Sequence, residues 1–252
     1  MPNATTNATD LSVQLYTVRA ALDDDVDRTL ATLAEIGFRN VEPFDLLTYR
    51  DALRVALPRH GLSAPTTHAE LLGPDGDEAL AAAAELGIET VVQPWVEPER
   101  WATADGIRAL ADDLNASSVR AAGHGLRVGY HNHHFELEAR VDGRHGLEAF
   151  ADHLAPEVVL EVDTYWALAG GADVPALLGR LGSRVVALHL KDGDGSLDTK
   201  RQVALGHGVL PVGAILEAAP HALRVVELDD TDGDLLTAIR VGHETLLGLV
   251  RA

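Results

Sequence analysis

Four times in the first half of the chain, an Ala/Leu-rich amphipathic stretch ends at a glycine, an apolar residue follows, and a β-rich run begins. The junctions are Gly37-Phe38, Gly61-Leu62, Gly87-Ile88 and Gly125-Leu126. Glycine suits the left-handed position that closes a helix, and the apolar residue after it anchors the turn into the next strand. Each copy therefore predicts a helix-to-strand junction, and the repetition predicts alternation of the two throughout.

Strands are expected over 11–18, 40–44, 63–69, 90–95, 127–133, 158–164, 185–192 and 223–229. Between them, apolar residues at three- and four-residue spacing predict helices over 26–36, 78–86, 107–122, 147–154 and 235–250. Strands alternating with helices imply a parallel sheet, and eight units in 252 residues imply closure into a single (β/α)₈ barrel, which usually takes about 250 residues. A doubly wound open sheet would carry a Gly-rich turn after its first strand, where this chain has Tyr16-Thr17-Val18-Arg19. No Pro/Gly/Ser linker divides the chain, so one domain over 1–252 is expected, with 1–10 as a frayed tail. Asp23-Asp24-Asp25 is expected at a helix N-terminus, where carboxylates complement the dipole.

Composition narrows the chemistry. With no cysteine, disulfides, thiolate nucleophiles and thiolate metal sites drop out, leaving His, Asp and Glu as metal ligands. A formal net charge of −19 repels a phosphate backbone, so nucleic acid is not an expected partner. Neither a signal-peptide pattern nor an apolar run of about 20 residues occurs, so a cytoplasmic address without membrane association is expected.

Residues i and i+2 of a strand share a face, so polar pairs at that spacing can aim together into a barrel mouth. The last four predicted strands each end in such a pair: His131 and His133, Glu161 and Asp163, His189 and Lys191, Glu227 and Asp229. Ionisable groups at successive C-terminal strand ends are costly in a normally apolar interior unless they serve a site. Carboxylates mixed with imidazoles suit Mn²⁺ first, with Co²⁺, Mg²⁺ or Zn²⁺ as alternatives.

The segments Tyr130-His131-Asn132-His133-His134-Phe135-Glu136, Glu161-Val162-Asp163-Thr164-Tyr165-Trp166 and His189-Leu190-Lys191-Asp192 resemble the sugar phosphate isomerase/epimerase superfamily of xylose isomerase-like barrels. The resemblance extends from Gln14 on the first strand to Asp229 on the last. It implies metal ligands Asp163, His189 and Glu227, with Glu136 favoured as the fourth and His131 as its competitor, because many members carry a Glu where this chain has His131. His131, His133, Lys191 and Glu136 are then the candidates for acid/base work, and Gln14, Tyr16, Arg19, Glu42 and His68 for binding substrate. An Asp that often follows Gly-x-Gly after the seventh strand is missing, since Val209-Leu210-Pro211 follows Gly208.

The implied function is a metal-dependent isomerase or epimerase moving a proton beside a carbonyl of a sugar or keto-sugar. A lyase acting on a keto-inositol or a 3-keto-glycoside is the alternative, which the His-Asn-His-His run favours slightly through a second imidazole as acid. A non-catalytic sugar-binding barrel ranks third, and an endonuclease is disfavoured by the acidic balance and by too few His and acid residues for three metals. A small-molecule sugar or polyol is the expected partner, and a homo-oligomer is compatible with the chain.

Overall fold

A computed structural model describes residues 11–251; the expected tail at 1–10 lies outside the described residues. Eight parallel strands carry the architecture: β1 (Ser12–Gln14), β2 (Asn40–Glu42), β3 (Thr66–His68), β4 (Thr90–Gln93), β5 (Arg127–His131), β6 (Val159–Asp163), β7 (Val185–Leu190) and β8 (Leu223–Val226). Their order in the sheet is β2-β1-β8-β7-β6-β5-β4-β3. The two edge strands meet through a parallel bridge between Asn40 and Ser63, with Val41 N donating to Ser63 O at 2.9 Å and His68 N to Pro43 O at 2.8 Å. The sheet is thus a nearly closed barrel, with helices in the connections. A small antiparallel hairpin, Arg140–Val141 with Arg144–His145, follows β5.

The expected junctions form by one mechanism. Gly37, Gly61, Gly87 and Gly125 all take positive φ, between 65° and 119°. The amides of Phe38, Leu62, Ile88 and Leu126 donate back to the carbonyls of Leu33, Leu57, Ala83 and Ala121 at 3.0–3.3 Å, the six-to-one bond of a Schellman closure. All four apolar residues are buried, so each helix end is tied to the core as it turns into a strand. At the other end of helix Val26–Ile36, Asp25 accepts the Arg28 amide at 3.0 Å, the capping role expected of the aspartate run.

All eight strands are shorter than expected, the first by the most. The Gln14 side chain accepts the Tyr16 amide at 3.1 Å and opens a 3₁₀ turn over Leu15–Val18, so the segment leaves the sheet as it reaches the mouth. Helices also form over Leu46–His60, Thr164–Ala169 and Val174–Leu181. The principal core cluster runs from Leu11 to Leu246, filling the space between strands and helices. No helix among the described residues is long and apolar enough to cross a membrane.

Candidate active site

The C-terminal strand ends deliver a buried ring of ionisable groups. Gln14, Glu42, His68, His131, Asp163 and His189 are at or next to the last residues of their strands, and Lys191 and Glu227 follow directly after β7 and β8. Strand register sets their neighbours: Gln14 pairs with Glu42, His131 with Glu161, and Asp163 with His189. A register shift between Leu160 and Glu161 precedes the last of these pairings. Such an irregularity re-aims the side chains that follow it.

Glu161 is the hub. Its Oε1 lies 2.6 Å from His68 Nε2, 3.0 Å from His131 Nδ1 and 3.0 Å from His189 Nε2. Glu42 Oε1 adds a second acceptor 2.6 Å from His189 Nε2 and receives the Gln14 amide at 2.7 Å, while Thr66 Oγ1 donates to Glu42 Oε2. These contacts fix the protons: His131 donates from Nδ1 and His189 from Nε2. The opposite nitrogen of each ring then faces the other half of the cluster.

There, His131 Nε2 lies 3.8 Å from Asp163 Oδ2, and His189 Nδ1 lies 3.5 Å from Glu227 Oε2. Asp163 Oδ1 is occupied by the Trp166 amide at 2.8 Å, leaving Oδ2 free to turn inward. Lys191 Nζ touches Asp163 Oδ2 at 2.7 Å, Asp229 Oδ2 at 2.8 Å and also Glu227 Oε2. Lys191 thus pairs with Asp163 Oδ2, and His189 Nδ1 is turned toward Glu227. Ligand atoms of Asp163, His189 and Glu227 lie within 4.8 Å of one another. Two carboxylates with an imidazole nitrogen form a donor set suited to a divalent cation. These residues fit the metal expected from the sequence. A second set, His68, His131, Glu161 and His189, is equally close, but its nitrogens are the ones already committed to Glu161.

The electrostatics follow from burial and neighbours. Burial opposes an imidazolium at His189, but Glu161 and Glu42 outweigh it and hold the pKa well above the usual range. A metal ion at Nδ1 would supply that positive charge in place of a proton. His131 goes the other way, well below the ordinary value, through burial and the charge on His189. Burial lifts Asp163 to about 6 despite Lys191. For Lys191, burial is overcome by Asp163, Asp229 and Glu227, so the ammonium stays charged with its pKa well above normal. Glu161 and Glu227 are also buried, yet their cationic neighbours hold both well below the carboxylate range.

Several sequence expectations change. Glu136, favoured as the fourth ligand, spends its oxygens elsewhere: Oε1 accepts the Tyr130 hydroxyl at 2.8 Å and Oε2 the His133 amide at 2.8 Å. Burial pushes its carboxyl to about 8. It stands beneath the His133 turn, and it belongs to neither group of clustered ligand atoms among the described residues. Glu42 is fully buried under the mouth rather than on the cavity wall. Arg19 packs its guanidinium 4.2 Å from the Tyr16 ring centroid and donates to Tyr16 O at 2.8 Å, also off the wall. Gln14, Tyr16, His68, His131 and His133 do line a cavity of about 560 Å³ above the cluster, with Glu227 and Asp229. His133 stacks on Phe135, and burial followed by the Lys191 charge brings its pKa down to about 3. The sequence marks Glu161 only as half of a pair; its i+2 spacing from Asp163 is the signal for its place in the site.

A family model described as a xylose isomerase-like TIM barrel matches residues 30–222. Among solved structures, a sugar phosphate isomerase/epimerase from Parabacteroides distasonis superposes with a TM-score of 0.78 at 22% identity, covering 97% of this chain and 95% of that one. The IOLI protein, solved with a bound zinc atom, gives 0.76 at 17% identity, covering 96% and 98%. A probable 3-DHS dehydratase, AsbF, from Bacillus anthracis gives 0.72 at 13% identity, covering 94% and 98%. No curated protein matches by sequence.

Proposed function

Since the chain belongs to the xylose isomerase-like TIM barrel family, we propose that it is a divalent-metal-dependent isomerase or epimerase of a sugar or keto-sugar, with Mn²⁺ as the first choice of ion. The proposed ligands are His131, Asp163, His189 and Glu227. The observation that carries this reading is the convergence of Asp163, His189 and Glu227, whose ligand atoms lie buried within 4.8 Å of one another. His131 replaces Glu136 as the fourth ligand because its Nε2 faces Asp163 while Glu136 is held by Tyr130 and His133. When bound, the ion would polarise a substrate carbonyl and stabilise negative charge developing on its oxygen.

The chain's own groups supply the rest. His133, on the cavity wall, is the group assigned to accept a proton from the carbon beside the carbonyl and return it. Glu136 holds the His133 backbone in place. Lys191, kept charged by three carboxylates, lies behind the cavity wall and holds Asp163, Glu227 and Asp229 in place. Glu161 and Glu42 orient the two ligand imidazoles from behind, the usual outer-shell task of a carboxylate. His68 lines the same cavity as His133, so two imidazoles, one as acid and one as base, would also serve β-elimination. That geometry supports the lyase as the second reading.

Metal analysis of single variants tests the ligand set. His131→Gln, Asp163→Asn and Glu227→Gln are each expected to purify folded and metal-depleted. A fully loaded His131→Gln beside a metal-free Glu136→Gln would return the fourth position to Glu136.

A further inference from the structure

The cavity that would receive substrate has an acidic wall. Asp45, Glu70, Asp75, Glu227 and Asp229 line it, and among the described residues no lysine or arginine does. The nearby cations are committed elsewhere. Lys191 is fully buried against Asp163, Glu227 and Asp229, and Arg19 lies on the Tyr16 ring. Of the wall imidazoles, His68 directs Nε2 to Glu161 at 2.6 Å.

A second observation concerns the place where barrels of this kind commonly hold a phosphate group, the loops after the seventh and eighth strands with an adjoining helix N-terminus. Here that depression is lined by Asp194, Asp198, Asp232 and Asp234. Its two long cations are already paired, Lys200 with Asp230 at 2.8 Å and Arg201 with Asp194 at 3.5 Å. The N-terminus of helix Leu235–Arg251 is filled by the chain itself, since Asp234 Oδ2 accepts the Thr237 amide at 2.7 Å.

Resting on the reading of this cavity as a sugar site, we propose that its substrate is an uncharged, unphosphorylated sugar or polyol, and that the site rejects sugar phosphates. A phosphate ester brings about −1.5 to −2 charges at neutral pH. In the cavity it would enter a field of carboxylates with no free cation to receive it, and in the second depression it would compete with aspartates for Lys200 and Arg201. The two charges of a metal ion would be matched by Asp163 and Glu227. Neutral hydroxyls suit the same wall, because a carboxylate is a pure acceptor and each hydroxyl is a donor. Trp95, 42% exposed and on the wall, offers an apolar face for the C–H side of a sugar ring.

The test uses the metal-loaded protein and matched probes: fructose with fructose 6-phosphate, and glucitol with glucitol 6-phosphate. Dissociation constants are measured by calorimetry and turnover by solvent deuterium incorporation. The neutral member of each pair is expected to bind at least tenfold more tightly than its ester. Asp75→Lys, at an exposed point of the wall, is expected to narrow that gap several-fold, with the change fading as salt is raised. Equal or tighter binding of the esters, or no binding of any neutral probe, overturns the proposal; so does an Asp75→Lys variant with an unchanged ratio. Selective binding of the neutral probes without deuterium incorporation leaves this specificity standing and defeats the proton-transfer reading instead.

Discussion

Replacing Glu136 by Gln separates a buried structural carboxyl from a metal ligand. The side chain is fully buried, and its oxygens receive the Tyr130 hydroxyl and the His133 amide, both at 2.8 Å. Burial raises its pKa from 4.5 to about 8. The folded state therefore holds a proton that the unfolded chain releases near pH 4.5, so this group's contribution is fully present below that pH and is lost as pH rises through about 8. At 1.36 kcal/mol per pKa unit the loss is at most about 5 kcal/mol, and relaxation of the site will reduce it. Gln is isosteric: its carbonyl can accept the His133 amide while its NH₂ donates to the Tyr130 oxygen. Urea denaturation in the presence of a chelator, at pH 5 and pH 8.5, should show the variant gaining on the parent by about 1–5 kcal/mol at the higher pH. Its metal content should remain near one ion per chain when reconstituted without chelator. An equal stability difference at both pH values, or loss of the metal, would refute the reasoning.

Three further outcomes are expected. His133→Gln should retain metal while turnover falls about 10²–10⁴-fold, the range for a general acid or base; parallel kinetics and metal analysis check it. Metal uptake should weaken as pH falls through about 6, because Asp163 is then protonated, and His189, with its raised pKa, must also release a proton to bind. Titration at several pH values should therefore give about one proton released per ion above pH 6 and about two below it. Gly170→Ala would place a Cβ 2.4 Å from His134 O and 2.7 Å from Leu137 Cβ, pushing on the segment that carries His133. Overpacking of this kind costs about 1–3 kcal/mol, readable as a lowered thermal midpoint.

Much of the fold was legible because its junctions are local. A helix that ends on glycine and an apolar anchor uses bonds within six residues, and Gly37-Phe38 through Gly125-Leu126 close that way. The polar pairs on the last four strands were legible for a similar reason, since alternation along a strand decides which side chains share a face. What escaped depends on side-chain hydrogen bonds that alternation and spacing do not assign, some to near neighbours and some across the barrel. Glu136 is drawn beneath the site by Tyr130 on the preceding strand, which spacing from His131 does not reveal. Glu161 becomes the hub only because β3, β5 and β7 each bring it an imidazole. Glu42 is carried below the wall by Gln14 and Thr66, and Arg19 is turned aside by a 3₁₀ turn that Gln14 caps.

Solvent exchange on stripped and reconstituted protein tests the central claim most directly. The protein is freed of metal with a chelator, divided, and one half reloaded with Mn²⁺; both halves are then incubated in heavy water with neutral ketoses and keto-polyols. Carbon-bound deuterium is predicted beside the carbonyl only in the reloaded half, and the signal should disappear again on renewed chelation. Exchange at the same rate in protein shown to be metal-free, or none with any compound in the loaded protein, would contradict the account.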